Sequence, residues 1–179
     1  MRYFLLIAVL LVTTNVDAQK LVKTKLSDKI TVHIPASFTP MSEEDKMQRY
    51  ESARLPIALF TDPDRMAEFG VNHSYSLWPD KDLHLLQEFY NASILELYDK
   101  VDFIKQEITN VNGRDFAIFE FDSVVYPENK FQGNITKYTY LMYTISEGTT
   151  YLFNFTCEHR VKNQWQSTAQ KIMKSVKLK

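Results

Sequence analysis

The sequence predicts an α+β fold, in which an antiparallel β-sheet of about five to seven strands packs between α-helices. Three observations lead to this prediction. Several segments alternate apolar and polar residues, as half-buried strands of an antiparallel sheet do. The turn sequences Asn112-Gly113 and Glu147-Gly148 join consecutive alternating segments. The last segment carries apolar residues at helical spacing and can therefore cover one face of the sheet.

Length and composition indicate one globular domain. The chain has 179 residues, of which 45% are hydrophobic and 24% charged, so a disordered chain is excluded. Only four glycines are present, which leaves little material for a glycine-rich phosphate-binding loop. There is no internal repeat and no linker-like stretch. We therefore expect a single domain over residues 19–179.

The first eighteen residues have the pattern of a secretory signal peptide. Arg2 precedes an apolar run over 3–12, and a small-residue site ends at Ala18. The run is too short to cross a bilayer, so cleavage after Ala18 is expected. The protein is predicted to be exported, to the periplasm or outside the cell, with no membrane span in the mature chain.

The mature chain is close to neutral. It retains 20 basic and 21 acidic side chains, which gives no electrostatic reason to expect a nucleic-acid partner. Cys157 is the single cysteine and cannot form an internal disulfide.

The first half of the mature chain predicts three strands and two helices. A strand over 30–34 ends before Pro35, and a short helix begins at Ser42, whose side chain can cap it. Strands over 57–61 and 66–77 follow, joined by a turn. The longest helix is predicted over 80–100, from an apolar stripe at three- and four-residue spacing.

The second half predicts a meander of four strands and a final helix. The strands are expected over 101–109, 116–124, 136–145 and 149–157, with a polar loop over 127–134. The helix begins near Val161 and presents one apolar stripe that includes Trp165 and Ile172.

This order of elements resembles the PsbP-like fold. The resemblance rests on the opening strand Ile30-Thr31-Val32-His33-Ile34-Pro35 followed by Phe38, and on the strand and helix order after it. The superfamily includes the photosystem protein PsbP, a nuclear import factor that binds Ran, and the bacterial DcrB-like proteins. Small exported bacterial proteins of unknown function are also similar. The resemblance implies a binding or assembly role rather than catalysis. The sequence contains no functional-site motif of the superfamily, so no functional residue can be assigned from the resemblance.

Metal and nucleophile chemistry are weakly supported. His33, His73, His84 and His159 are widely spaced, so no zinc cage and no cofactor are predicted. His73 falls on the apolar face of its strand and is interpreted as a core or sheet-edge histidine. Cys157 precedes His159 by two residues, but a buried cysteine usually behaves as a small apolar residue.

Two carboxylates and three tyrosines remain as candidates. Glu120 and Asp122 share one strand face and could act as an acid–base pair, although we expect them to mark where that face reaches solvent. Tyr138 and Tyr140 share one face of their strand, and Tyr143 lies on the other. They are interpreted as core, with an open tyrosine-lined groove as the alternative.

The sequence therefore favours an exported, non-enzymatic binding or accessory protein with an unidentified protein or small-molecule partner. One alternative is a small-ligand or peptide binder that uses Tyr138, Tyr140, Tyr143 or His73. Another is a weak hydrolase that uses Glu120, Asp122 or His73.

Overall fold

A computed structural model describes residues 19–49, 55–76, 78–79, 82–129, 131 and 133–179. The predicted signal peptide over 1–18 lies outside these residues. The structure comprises three α-helices and ten β-strands within the described residues. The helices are α1 (Glu43–Arg49), α2 (Leu83–Leu97) and α3 (Lys162–Lys174). The strands are β1 (Leu21–Lys25), β2 (Ile30–Pro35), β3 (Thr39–Pro40), β4 (Ala58–Thr61), β5 (Ala67–Tyr75), β6 (Lys100–Val111), β7 (Arg114–Val125), β8 (Ile135–Ser146), β9 (Thr149–Glu158) and β10 (Lys177–Leu178).

Seven of these strands form one antiparallel sheet in the order β3-β4-β5-β9-β8-β7-β6. The predicted antiparallel sheet is confirmed, with the number of strands at the upper end of the expected range. β6 to β9 form the predicted meander, in which each strand pairs with the next.

The two predicted hairpin turns are confirmed by their backbone angles. Asn112 and Gly113 have φ of 53° and 90°, and Glu147 and Gly148 have φ of 50° and 67°. A two-residue turn of this type needs positive φ at both positions, and Asn and Gly tolerate it well. These turns fix the register of the meander.

A second, smaller sheet was not predicted. β2 pairs with β1 on one side and with β10 on the other, both antiparallel. β1 has the sequence LVKTK and β10 has two residues, so neither carries enough alternation to be recognised as a strand. This sheet brings together the first and the last strands that the structure describes.

One face of the large sheet packs against both α3 and the small sheet. The hydrophobic core on this face contains side chains from four strands of the large sheet, β5, β7, β8 and β9. It also contains Trp165 and Ile172 of α3 and Ile30 and Val32 of β2. The prediction of helices as the covering layers was therefore incomplete, because a sheet shares this face with α3.

The opposite face packs against α2. Leu86 and Ile94 of the helix belong to one hydrophobic cluster with Phe119 and Phe121 of β7, and Tyr90 stacks on Tyr143 with 3.9 Å between ring centroids. α2 is shorter than predicted, since Tyr98 is already extended and β6 begins at Lys100. Within the described residues, neither this helix nor the others combine the length and the apolar character needed to cross a bilayer.

Candidate functional site

The carboxylates of Glu120 and Asp122 lie between the large sheet and α3. Both residues belong to β7, where alternation places them on the face that carries Phe116 and Ile118. The neighbouring strand β8 places Tyr140 opposite Glu120 and Tyr138 opposite Asp122. We call Glu120, Asp122, Tyr138 and the α3 side chains that contact them the carboxylate cluster.

Glu120 is enclosed and accepts three hydrogen bonds on one oxygen. Its residue surface is 1% exposed. Oε1 accepts from the Tyr138 hydroxyl and from the Nε2 atoms of Gln166 and Gln170, each at 2.9 Å. Gln166 and Gln170 are four residues apart and so project from the same side of α3. The carboxylate therefore ties the helix to two strands of the sheet.

Burial raises the pKa of Tyr138 and of the neighbouring Tyr140. It is the largest cause of the raised pKa of Tyr138, and the nearby Glu120 raises that pKa further by charge repulsion and by its hydrogen bond. Burial is also the largest cause of the raised pKa of Tyr140, and the charges of Glu120 and Glu107 raise that pKa further. Tyr138 acts as a hydrogen-bond donor here and not as a base.

Asp122 forms the outer part of the cluster. Lys162 Nζ lies 2.5 Å from its Oδ2, and both side chains are mostly covered, at 17% and 23% exposure. His159 Nε2 is 3.7 Å from Oδ1, which accepts no hydrogen bond from the described residues. Lys162 also lies over the Tyr138 ring, 5.5 Å from its centroid. One cation thus contacts both a carboxylate and an aromatic face.

Cys157 is buried directly opposite Tyr138. Burial, followed by the charge of Asp122, raises the pKa of its thiol to about 12. A nucleophilic cysteine needs a lowered pKa and access to substrate, so this thiol has the properties of a core residue.

The expectation that Glu120 marks the emergence of its strand into solvent was wrong. Alternation identified the correct face, but it did not show that α3 covers that face with two amide side chains. The signal was present in the sequence as Gln166 and Gln170, which stand four apart beside the apolar stripe of the last helix.

Tyr138, Tyr140 and Tyr143 are all buried. Tyr138 and Tyr140 lie in the core beneath α3, and Tyr143 lies in the core beneath α2. They occupy the opposite faces that alternation predicted. In this structure they do not line a groove that is open to solvent.

His73 is exposed, contrary to its interpretation as a core or edge histidine. It lies on β5, an internal strand, opposite Tyr151 of β9. The β5 residues from His73 to Tyr75 leave the core, and Tyr75 is 76% exposed. The imidazole has no hydrogen bond to a described residue and lines a shallow cleft with Lys29 and Tyr151.

The histidines stay apart in space. His73 is separate from the carboxylate cluster, and only His159 reaches it. In the described part of the chain, no group of three or more His, Cys, Asp or Glu side chains could hold a metal ion.

Comparison with known proteins identifies the fold. No family model matches the sequence, and no curated protein matches it. The solution structure of cyanobacterial PsbP (CyanoP) from Synechocystis sp. PCC 6803 is similar with a TM-score of 0.58 and 14% identity, over 92% of this chain and 96% of that one. The Ran-binding protein Mog1p of Saccharomyces cerevisiae has a TM-score of 0.57 and 11% identity, over 90% and 96% of the two chains.

A third similar structure is LpqN of Mycobacterium tuberculosis, described as involved in cell envelope biogenesis. Its TM-score is 0.54 and its identity 12%, over 90% of this chain and 92% of that one. The likeness covers nearly the whole length of all three proteins. The chain thus has the PsbP-like fold that its sequence resembles.

Proposed function

We propose that this protein is an exported, non-enzymatic binding or accessory protein. The main support for the proposal comes from Glu120, which forms its hydrogen bonds with the protein itself. Its Oε1 accepts three hydrogen bonds in a position closed to solvent. The carboxylate pair is the arrangement in the sequence best suited to acid–base chemistry. In the folded chain it serves to hold α3 on the sheet.

Catalysis by these groups would need access to a substrate. A general acid or base must come within hydrogen-bond reach of the proton that it transfers. Glu120 is enclosed, Asp122 is paired with Lys162, and the pKa of Cys157 is raised. His73 is accessible, but it stands apart from the carboxylates and lacks a polar partner among the described residues.

Exposed apolar side chains support a role in binding. Leu85 and Phe89 stand four apart on α2 and are about half exposed, and Leu97 at the end of the helix is 69% exposed. Neighbouring apolar side chains on a surface are typical of protein interaction sites. Mog1p is described as Ran-binding, so the fold is used for protein binding elsewhere.

Export is supported by the signal-like pattern over 1–18 and by the likeness to LpqN, a protein described as involved in cell envelope biogenesis. The periplasm or the extracellular space is the proposed location. The free, buried Cys157 is compatible with an oxidising compartment, because it has no second cysteine in the chain to react with.

An activity screen tests the non-enzymatic part of this proposal. The purified protein is assayed on model esters, glycosides and phosphate esters beside Glu120→Gln, Asp122→Asn and His73→Ala. Glu107→Gln, at an exposed position of the edge strand β6, is the matched control. We expect no turnover that depends on the three candidate residues. Turnover that is lost in one of them and kept in the control would overturn the proposal, provided that the variant remains folded.

A capture experiment tests the binding part. Immobilised wild-type protein, Leu97→Ser and the control Val22→Ser are incubated with extract from the compartment to which the protein is exported. Val22 is also apolar and is 45% exposed, against 69% for Leu97, but it lies on β1. We expect a partner that Leu97→Ser retains less well than the control does. Equal retention by both variants would argue against the α2 surface.

A further inference from the structure

A cleft with four lysines lies where the small sheet meets the end of α3. Its volume is about 360 Å³. The lysines come from β1, α3 and β10, and His33 of β2 lies beside them. The lining includes Lys23, His33, Lys171, Lys174 and Lys177.

Strand pairing explains how these side chains converge. Lys23 is opposite His33, and Lys177 is opposite Thr31. Ile30, Val32 and Ile34 of β2 point into the core, so Thr31 and His33 point outward and their cross-strand neighbours do the same. Lys171 and Lys174 lie on one side of the last turn of α3.

Among the described residues, no acidic side chain forms an ion pair with Lys23, Lys171, Lys174 or Lys177. All four lysines are exposed residues. Ammonium groups held around one cleft repel each other, and a bound anion relieves that repulsion.

The charge is also segregated along the sequence. Residues 19–35 and 159–179, which build the small sheet and α3, contain ten Lys and Arg and a single acidic residue, Asp28. Residues 36–158 contain ten Lys and Arg and twenty Asp and Glu. The net charge of −1 hides this separation, and an argument from the charge of the whole chain therefore gave no reason to expect a nucleic-acid partner and did not detect the basic cleft.

Carbonyl groups at the C-terminal end of α3 accept hydrogen bonds from within the protein. The last carbonyl groups of an α-helix carry partial negative charge and would repel one. Asn112 Nδ2 donates to the carbonyls of Lys174 and Val176, and the Ser175 hydroxyl donates to that of Ile172. These acceptors are therefore satisfied from within the protein, and the charged side chains that line the cleft are all hydrogen-bond donors.

We propose that this cleft binds a phosphate-bearing anion through Lys23, Lys171, Lys174 and Lys177. Several lysines around one cavity suit a group with more than one negative charge and several acceptor oxygens. The phosphate is either that of a free small molecule or that of a lipid headgroup. The inference names the ligand class for one surface of the binding protein proposed above and rests on that function.

Titration of the isotope-labelled protein with sodium pyrophosphate, followed by NMR, tests the proposal. We expect saturable shifts centred on the amides of β2, β10 and the end of α3. Lys174→Gln/Lys177→Gln should weaken binding roughly tenfold or more. Lys100→Gln/Lys137→Gln removes two charges elsewhere on the sheet and should leave binding unchanged. Thermal unfolding of both variants establishes that they are folded.

Vesicles distinguish the two sources of phosphate. Binding to vesicles with phosphatidylglycerol, but not to phosphatidylcholine vesicles, with the same loss in Lys174→Gln/Lys177→Gln, would support a lipid headgroup. Pyrophosphate binding without vesicle binding would support a free ligand.

The proposal is overturned if neither probe binds, or if the two double variants lose affinity equally. Binding of duplex DNA in the absence of pyrophosphate and vesicle binding would also overturn it, because it would indicate a diffuse polyanion surface. None of these binding results changes the outcome of the activity screen described above. The experiments therefore distinguish an error in the proposed anion site from an error in the proposed non-enzymatic function.

Discussion

The hydroxyl of Tyr138 on β8 donates a 2.9 Å hydrogen bond to Oε1 of Glu120 on β7, in a core closed to solvent. Tyr138 is not the direct cross-strand partner of Glu120, so the bond runs diagonally between the strands. Gln166 and Gln170 of α3 donate to the same oxygen. One carboxylate oxygen therefore links two strands and a helix.

Removing one of these donors should have a limited effect. Tyr138→Phe deletes the hydroxyl but leaves the ring and both glutamine donors, so we expect a loss of about 1.5 kcal/mol in the free energy of unfolding. Urea denaturation measures it. Tyr151→Phe is the control, because the Tyr151 hydroxyl makes no hydrogen bond to a described residue. Equal losses in the two variants would show that the bond to Glu120 contributes nothing.

The pairing of Asp122 with Lys162 should appear as a coupling energy. Lys162→Met leaves a partly buried carboxylate without its cation, and we expect a loss of about 2 kcal/mol. Asp122→Asn alone should cost less. In a double-mutant cycle the coupling should reach about 1 kcal/mol. Additive losses would contradict the assignment of this pair as a link between β7 and α3.

The thiol of Cys157 should resist modification in the folded protein. It is buried, and its pKa is raised to about 12, so little thiolate forms near neutral pH. A thiol reagent at pH 8 should label it only as fast as the protein opens, and rapidly in urea. Labelling of the native protein at the rate of a free thiol would contradict the inert assignment.

Stability should fall on the alkaline side. Burial raises the pKa of Tyr138, Tyr140, Tyr143 and Cys157 in the folded state. The unfolded chain ionises first, above about pH 9 for the thiol and about pH 10 for the phenols. The free energy of unfolding is therefore independent of these groups below pH 9 and decreases as pH rises above it.

Each such group contributes a slope of up to about 1.4 kcal/mol per pH unit. Tyr140→Phe should reduce the slope above pH 10, because it removes a phenol whose pKa is raised by burial in the folded protein. Denaturation in urea at several pH values measures the effect. A slope that Tyr140→Phe leaves unchanged would be inconsistent with its raised pKa.

Local sequence signals were sufficient for most of the large sheet. Asn112-Gly113 and Glu147-Gly148 fixed two turns, since few sequences satisfy positive φ at two successive positions. The alternation around Tyr138 and Tyr143 placed them on opposite faces, as observed. These features depend on neighbours along the chain, which a single sequence displays.

Features that depend on distant segments were missed. β1 and β10 are strands because both pair with β2, from opposite ends of the chain. Glu120 is buried because Gln166 and Gln170, more than forty residues later, cover it. The lysine cleft is built from the same two segments. Its positive charge is offset by acidic residues elsewhere in the chain, so the net charge of the whole chain does not reveal it. Local periodicity predicts which face of a strand is buried, but it does not identify the distant segment that packs on that face.

The unfolding free energy of Glu120→Met tests the central claim most directly. If Glu120 is structural, its loss leaves the hydroxyl of Tyr138 and the amides of Gln166 and Gln170 without an acceptor, and we expect a loss of about 3 kcal/mol. Glu120→Gln, which keeps one acceptor oxygen, should lose less. A group retained for catalysis often reduces stability, so its replacement often increases it. Unchanged or higher stability of Glu120→Met would contradict the account.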